Sequence, residues 1–301
     1  MSHESSAKAI LYAFVANLGI ALAKLAASIY THSGSMLAEA IHSFADSGNQ
    51  VLLYLGLKQS QRPASARHPL GEGKITYFWS FIVALLLFSV GGLFSIYEGW
   101  HKLSAHEELK QAWVALLVLG VSILLELGSL FGCLREIKKL RKEKTLRQWV
   151  KQTRNAELVV VLGEDIAALA GLVIAFFFVA LAAATGNGIY DAIGSITIGV
   201  ILILVSIFIA VRIKGLIVGR SAEEDLQAGI RAEIEATDGV EDLLNAITVQ
   251  LGPQVMLAIK VRMTPGISLE KAVATINTLE RSIKAKFPEV AWCFAEPDVA
   301  D

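Results

Sequence analysis

Apolar residues in this chain come in runs too long for a soluble core, broken by short polar joints as far as Gly215. A membrane-crossing helix needs about 20 predominantly apolar residues. On that rule six spans are expected, at roughly 7–30, 34–57, 75–100, 112–134, 156–183 and 189–214. Beyond Gly215 the pattern turns soluble. SAEEDLQAGIRAEIEAT sets Leu226, Ile230 and Ile234 four apart, the spacing of one helix face, with Ser221 as expected N-cap and Glu224 three residues on. The runs LLNAITVQLG and VMLAIKVRM, broken at Gly252-Pro253, predict two strands. A helix over SLEKAVATINTLERSIKAKF capped by Ser268, then a last strand at VAWCFAEPD, completes the order helix, strand, strand, helix, strand. The expected fold is an α-helical polytopic membrane protein of six transmembrane helices with a C-terminal α+β domain, divided as 1–215 and 216–301.

The second run, GSMLAEAIHSFADSGNQVLLYLGL, is not uniformly apolar. Glu39, His42, Asp46 and Asn49 are three, four and three apart, which stacks them on one helix face. An ionisable side chain at membrane depth costs at least a few kcal/mol, so such a stripe marks a cavity or a partner helix. His42 and Asp46, one turn apart, can hold one metal ion between them. The fifth run carries a second island, Glu164 and Asp165, amid unbroken Val, Leu, Ala and Phe. Adjacent helical residues point about 100° apart, so one of the two is expected to share the cavity of His42 and Asp46 while the other meets a neighbouring helix or a water-filled vestibule. Lys24 in the first run and Glu126 in the fourth are also ionisable at mid-membrane; each fits a transport path, and each fits an ion pair or a snorkelling side chain as well.

Composition and charge narrow the function. With 54% hydrophobic and 18% charged residues the chain partners a lipid bilayer, and a net charge of -1 gives no reason to expect nucleic acid. Cys133 and Cys293 are too few and too far apart for a disulfide framework, and both read as ordinary buried thiols. No nucleophile–base arrangement or phosphate loop appears, so an enzyme is not expected. Lys and Arg crowd two joints. Lys58, Arg62, Arg67 and Lys74 follow the second run, and nine basic residues from Arg135 to Arg154 follow the fourth. The joints on the other side have none, or set Lys102 and Lys110 against Glu107 and Glu108, so both termini are expected in the cytoplasm. The basic segment REIKKLRKEKTLRQWVKQTRN is expected to continue the fourth span as a helix, a solvated extension whose residues would equally meet anionic headgroups. After the polar MSHESSAK the first run is full-length with no small-residue cleavage site and reads as a span. The positive-inside joints and the lack of a transit peptide point to a bacterial-type inner membrane, with an organelle membrane as the alternative. His3, His32, His101 and His106 fall at the tail or on the outer side, as solvated or interfacial residues.

The strings SGSMLAEAIHSFADSGNQ, RHPLGEGKITYFWSF and VVLGEDIAALAGL resemble the cation diffusion facilitators, in a branch similar to the mitochondrial member of the human zinc transporters. The resemblance covers nearly the whole chain. It implies a homodimeric secondary transporter that exchanges a divalent metal, commonly zinc, for protons by alternating access, with no permanently bound cofactor. It also implies that the C-terminal domain is ferredoxin-like and dimerises. His42 and Asp46 match the family's ligands of the second span, and Asp165 matches the aspartate of the fifth. Zinc-transporting members place a histidine four residues before that aspartate, and here the position is Val161; counting from Glu164 gives Val160. The remaining ligand is then drawn from Glu164, Asn49, Glu39 or water.

One imidazole with two or three carboxylates is a harder donor set than a His-rich site, and it accepts zinc, manganese, iron(II), cobalt or nickel. Zinc is first choice on the resemblance. A metal ligand must be deprotonated, and His42, with a reference pKa of about 6.5, is the group placed to trade a cation for a proton. In ARHPLGEGK, His68 and Glu72 are one turn apart where several family members hold an extra cytoplasmic metal, but Pro69, Gly71 and Gly73 favour a turn that shapes the loop. The C-terminal domain has no histidine, only Cys293, Glu296, Asp298 and scattered acids, and is expected to dimerise with little or no metal sensing. The alternative reading is a non-transporting scaffold or regulatory subunit on the same fold. Against it, a degenerate site should drift toward apolar residues, and here Glu164 and Asp165 keep their charges.

Overall fold

The computed structural model describes residues 3–105, 111–141 and 143–300, with side chains of the first helix described from Asn17 onward. The expectations placed on His106, Glu107, Glu108, Lys110 and Lys142, and on the side chain of His3, lie outside the described residues. Helices form over every expected run. They are α1 (His3–Thr31), α2 (Gly34–Ser60), α3 (Ile75–Leu86) continuing through a π-helical stretch (Leu87–Leu93) into α4 (Phe94–Ala105), α5 (Ala112–Leu140), the short α6 (Leu146–Gln152), α7 (Ala156–Thr185) and α8 (Ile189–Val218).

The expected count of six transmembrane helices is corrected. Among the described residues four helices are long and apolar enough to cross a bilayer: Ile75–Ser104, Ala112–Leu140, Ala156–Thr185 and Ile189–Val218. α2 has the length, at 27 residues, but one of its faces is given to Glu39, His42, Asp46 and Asn49, which lowers its apolarity below that of a lipid-solvated span. Side chains of α1 are described only from Asn17 onward, and that part of the helix carries the buried polar groups Lys24, Ser28 and Thr31. The chain is therefore a polytopic helical membrane protein, with four such helices among the described residues and a C-terminal α+β domain.

The chain divides into two compact units, one of residues 1–55, 79–143 and 157–212, the other of residues 56–78, 144–156 and 213–301. In the first, the N-terminus of α2 is held by a carboxylate from α8. Ser33 Oγ donates to Asp191 Oδ1 over 2.7 Å, and the backbone N–H groups of Gly34 and Ser35 donate to Oδ2 and Oδ1 at 2.5 and 3.2 Å. These N–H groups have no partner inside the helix, and the negative charge complements the positive end of its dipole. The π-helical stretch approaches α8 closely enough that a Cβ on Gly199 would lie 2.6 Å from the Gly92 carbonyl oxygen, and in α4 the Ser95 carbonyl accepts from Ser195 Oγ of α8 at 2.9 Å.

The second unit contains α9 (Glu224–Glu235), β1 (Val240–Leu251), β2 (Gln254–Met263), α10 (Leu269–Lys286) and β3 (Val290–Pro297), the order expected from the sequence. The sheet runs β1-β2-β3, antiparallel between the first pair and parallel between the second. Leu251 pairs with Gln254 across Gly252-Pro253, with Gly252 at φ +67°, the sign a tight hairpin requires at that position. Val255, Leu257, Ile259 and Val261 alternate inward along β2, and the last three pack with Ile230, Ile234, Leu279 and Ile283 from the helices. Ser268 caps α10 as expected, accepting from the Lys271 N–H. Ser221 does not cap α9, which begins at Glu224 with Glu223 at its N-cap. Arg154 Nε holds the Ser221 carbonyl at 2.7 Å and Thr248 Oγ1 accepts from the Ala222 N–H, so these residues stay outside the helix. The basic segment is also not one helix with the fourth span. α5 stops at Leu140, and α6 starts afresh from a capping box in which the Thr145 and Gln148 side chains each accept from the other residue's backbone N–H.

Candidate functional site

The stripe on α2 folds inward. Glu39, His42 and Asn49 are fully buried, while Asp46 keeps one-fifth of its side chain accessible. His42 Nε2 lies 3.5 Å from Asp46 Oδ2, a charge-pairing distance without good hydrogen-bond geometry. Among the described residues neither imidazole nitrogen nor Asp46 Oδ1 has a hydrogen-bond partner. Asn49 Nδ2 reaches across to α7 and donates to Glu164 Oε1 over 2.6 Å. On the neighbouring position Asp165 Oδ1 accepts from Ser129 Oγ of α5 at 3.3 Å, and its Oδ2 is unpartnered. From α1, Lys24 Nζ donates to Ser43 Oγ at 2.7 Å and to Glu39 Oε2 at 3.2 Å.

Among these groups lies a cavity of about 100 Å³ whose charged lining is Lys24, Asp46, Glu126, Glu164 and Asp165. Only one of Glu164 and Asp165 was expected to share this cavity, and both line it, while Asp165 also meets a neighbouring helix, α5, as expected of the second. Their 100° divergence aims Glu164 at α2 and Asp165 at α5, and the cavity is bounded by both helices. Glu126 joins this lining, as does Val161. Of the other residues expected at the site, His42, Glu39 and Asn49 stand beside the lining residues without belonging to it. Among the described residues no three His, Cys, Asp or Glu side chains are drawn close enough together to hold a metal ion. The donors are collected at one place but not closed around one point.

Several lining groups were not singled out from the sequence: Asn17, Ser43, Gln50, Ser122 and Ser129. The signal for some was present. Gln50 is four residues after Asp46, and Ser122, Glu126 and Ser129 are four and three apart, a second polar stripe on α5 whose serines are too weakly polar to stand out in an apolar run.

His68 and Glu72 form a turn, with Gly71 at φ +71°. His68 Nδ1 is 3.6 Å from Glu72 Oε1, and Arg62 Nη1 lies 3.4 Å from the other oxygen, so the carboxylate already faces a guanidinium. In the C-terminal domain Cys293 is buried as expected, and burial, then the charge of Glu280, pushes its thiol up to about 11. The Val299 backbone N–H and the Lys260 ammonium, 3.1 Å away, hold the Asp298 carboxyl below its ordinary range. Cys133, expected to be buried, is half-buried, because α5 packs along only part of its surface.

Residues 10–213 match the family described as the cation efflux transmembrane domain, and residues 222–294 match the cation efflux protein cytoplasmic domain. The chain belongs to the cation efflux family, the cation diffusion facilitators. This cation efflux protein is 34% identical over 260 residues to the proton-coupled zinc antiporter SLC30A9, mitochondrial, of Xenopus laevis, covering 86% of this chain and 46% of that one. It is 31% identical over 255 residues to metal tolerance protein C4 of Arabidopsis thaliana, covering 84% and 56%. The chain thus spans about half the length of the curated relatives it matches. A solved MamM-CTD structure is similar at 14% identity, with a TM-score of 0.25 over 25% of this chain and 96% of that one. Within this cation efflux protein the cavity lies among α1, α2, α5 and α7, inside the stretch matched to the transmembrane domain.

Proposed function

We propose that this chain is a secondary transporter, not an enzyme, that moves a divalent transition metal out of the cytoplasm in exchange for protons, with His42, Asp46, Asp165 and Glu164 as the metal's contacts. The observation that carries the reading is the gathering of Asp46, Glu164 and Asp165 around one cavity, with His42 3.5 Å from Asp46. Buried carboxylates and an imidazole with unpartnered atoms are what a passing cation would satisfy. Each of these ligands binds metal in its deprotonated form, so loading displaces protons and protonation from the far side drives release.

Zinc is the first choice because relatives named as zinc antiporters match 86% of the chain. The donor set itself is harder than a His-rich one. Val161, where the family resemblance expects a histidine, stands in the cavity lining as an apolar wall, which supports manganese, iron(II), cobalt or nickel as further cargo. The match of residues 222–294 to the family's cytoplasmic domain supports a homodimer joined through residues 216–301, and the Lys/Arg-rich joints support both termini in the cytoplasm.

The test is uptake into proteoliposomes holding the full chain, each metal driven by a pH gradient, beside Asp46→Ala and Asp165→Ala. Transport of at least one metal, lost in both variants, is expected. If no metal moves while a known transporter works under the same conditions, the reading fails in favour of the scaffold.

A further inference from the structure

The cavity carries a cation of its own. Lys24 lines it together with Asp46, Glu126, Glu164 and Asp165, and is 2% exposed. Its ammonium does not point at random: it donates to Ser43 Oγ at 2.7 Å and to Glu39 Oε2 at 3.2 Å. Glu39 is fully buried and is not part of the lining. Its Oε1 has no hydrogen-bond partner among the described residues and rests against α7 at Gly171, where a Cβ would collide with it. Glu39 is therefore fixed between an ammonium on one side and a helix surface on the other.

We infer that Lys24 and Glu39 form a tethered counter-charge that sets the strength of cation binding in the cavity, with Lys24 keeping Glu39 out of the ligand set. This rests on the proposed reading that the cavity takes a divalent metal. A fixed positive charge at the wall repels an incoming divalent cation, and in a site shielded from water that repulsion is large. It also offsets part of the negative charge that Asp46, Glu126, Glu164 and Asp165 would otherwise leave uncompensated at membrane depth. A carrier needs both effects, since cargo held too tightly is not released.

The experiment is Zn²⁺ binding to the purified full-length protein in detergent, by competition with a fluorescent chelator, for the wild type, Lys24→Met, Glu39→Gln, the double variant and Asp46→Ala. Lys24→Gln stands beside Lys24→Met because it keeps an N–H donor for Glu39 if the apolar replacement does not fold, a real hazard when one member of a buried pair is removed. Expected are opposite signs. Removing the ammonium tightens binding at least about tenfold, and removing Glu39 alone loosens it about as much by leaving the ammonium unopposed. The double variant falls between the two single variants and still binds more tightly than wild type, because the ammonium lines the cavity and Glu39 does not. If Lys24→Gln and Glu39→Gln both loosen binding, or neither moves it while Asp46→Ala abolishes it, the counter-charge is overturned and the metal site stands. If the wild type binds no metal, the inference falls together with the reading beneath it.

Discussion

Asn49 carries more of the site than its place at the end of the α2 stripe suggests. Its amide is fully buried and donates to Glu164 over 2.6 Å, which fixes the carboxylate's direction toward α2. Asn49→Leu keeps the volume but leaves Glu164 Oε1 without a donor, and a buried acceptor stripped of its partner costs about 1–3 kcal/mol. The expected result is a lower thermal midpoint in detergent together with weaker transport, and an unchanged midpoint would show that water replaces the amide. The stripe itself was legible in the sequence, because a spacing of three and four is a property of the helix alone. What each member touches was not. The Lys24–Glu39 pair and the Asn49–Glu164 bond join residues 15 and 115 positions apart, and only packing decides them.

At the scale of elements, the joint between α2 and α3 is bound to a hairpin far along the chain. Tyr77, 1% exposed, accepts from the Gly252 backbone N–H at 3.0 Å and donates to the Gly252 carbonyl at 3.3 Å. Gly73 lies so close to Leu251 that a Cβ there would collide with its carbonyl. One phenol hydroxyl thus closes both polar groups of a turn residue. Tyr77→Phe keeps the ring and orphans the Gly252 N–H, while the Gly252 carbonyl still accepts from Gln250 Nε2 at 2.8 Å, so a loss of about 1–3 kcal/mol is expected. The measurement is thermal unfolding, and a variant as stable as wild type would refute the clasp. The glycines and Pro69 correctly marked this joint as a turn, but nothing local announces its partner. The two element boundaries misread from sequence have a common cause. Basic residues have good helix propensity and Ser221 is a good cap, yet a capping box at Thr145 and the Arg154 side chain on the Ser221 carbonyl decide where α6 and α9 begin.

For the whole molecule, the four helices that cross by length and apolarity put the ends of α5 and α7 on defined faces of the bilayer. The exposed Glu143, beyond α5, and Asn187, between α7 and α8, must then lie on opposite faces. With Cys133 and Cys293 replaced by Ser, Glu143→Cys and Asn187→Cys in sealed vesicles are expected to react with an impermeant maleimide from opposite sides, and labelling of both from one side would refute the crossing pattern. Apolar length made these helices legible, whereas the stripe on α2 that reveals the site also removes that helix from the count. The π-helical stretch at Leu87–Leu93 has a further consequence. A π turn accommodates an extra residue relative to an α turn, about 100° of rotation, so α3 and α4 are out of phase with each other although they share one axis. Deleting one residue there would let the span relax to continuous α-helix while swinging Ser95 and Gly99 away from α8, so that a change with no chemistry of its own would alter which side of α4 the rest of the bundle meets.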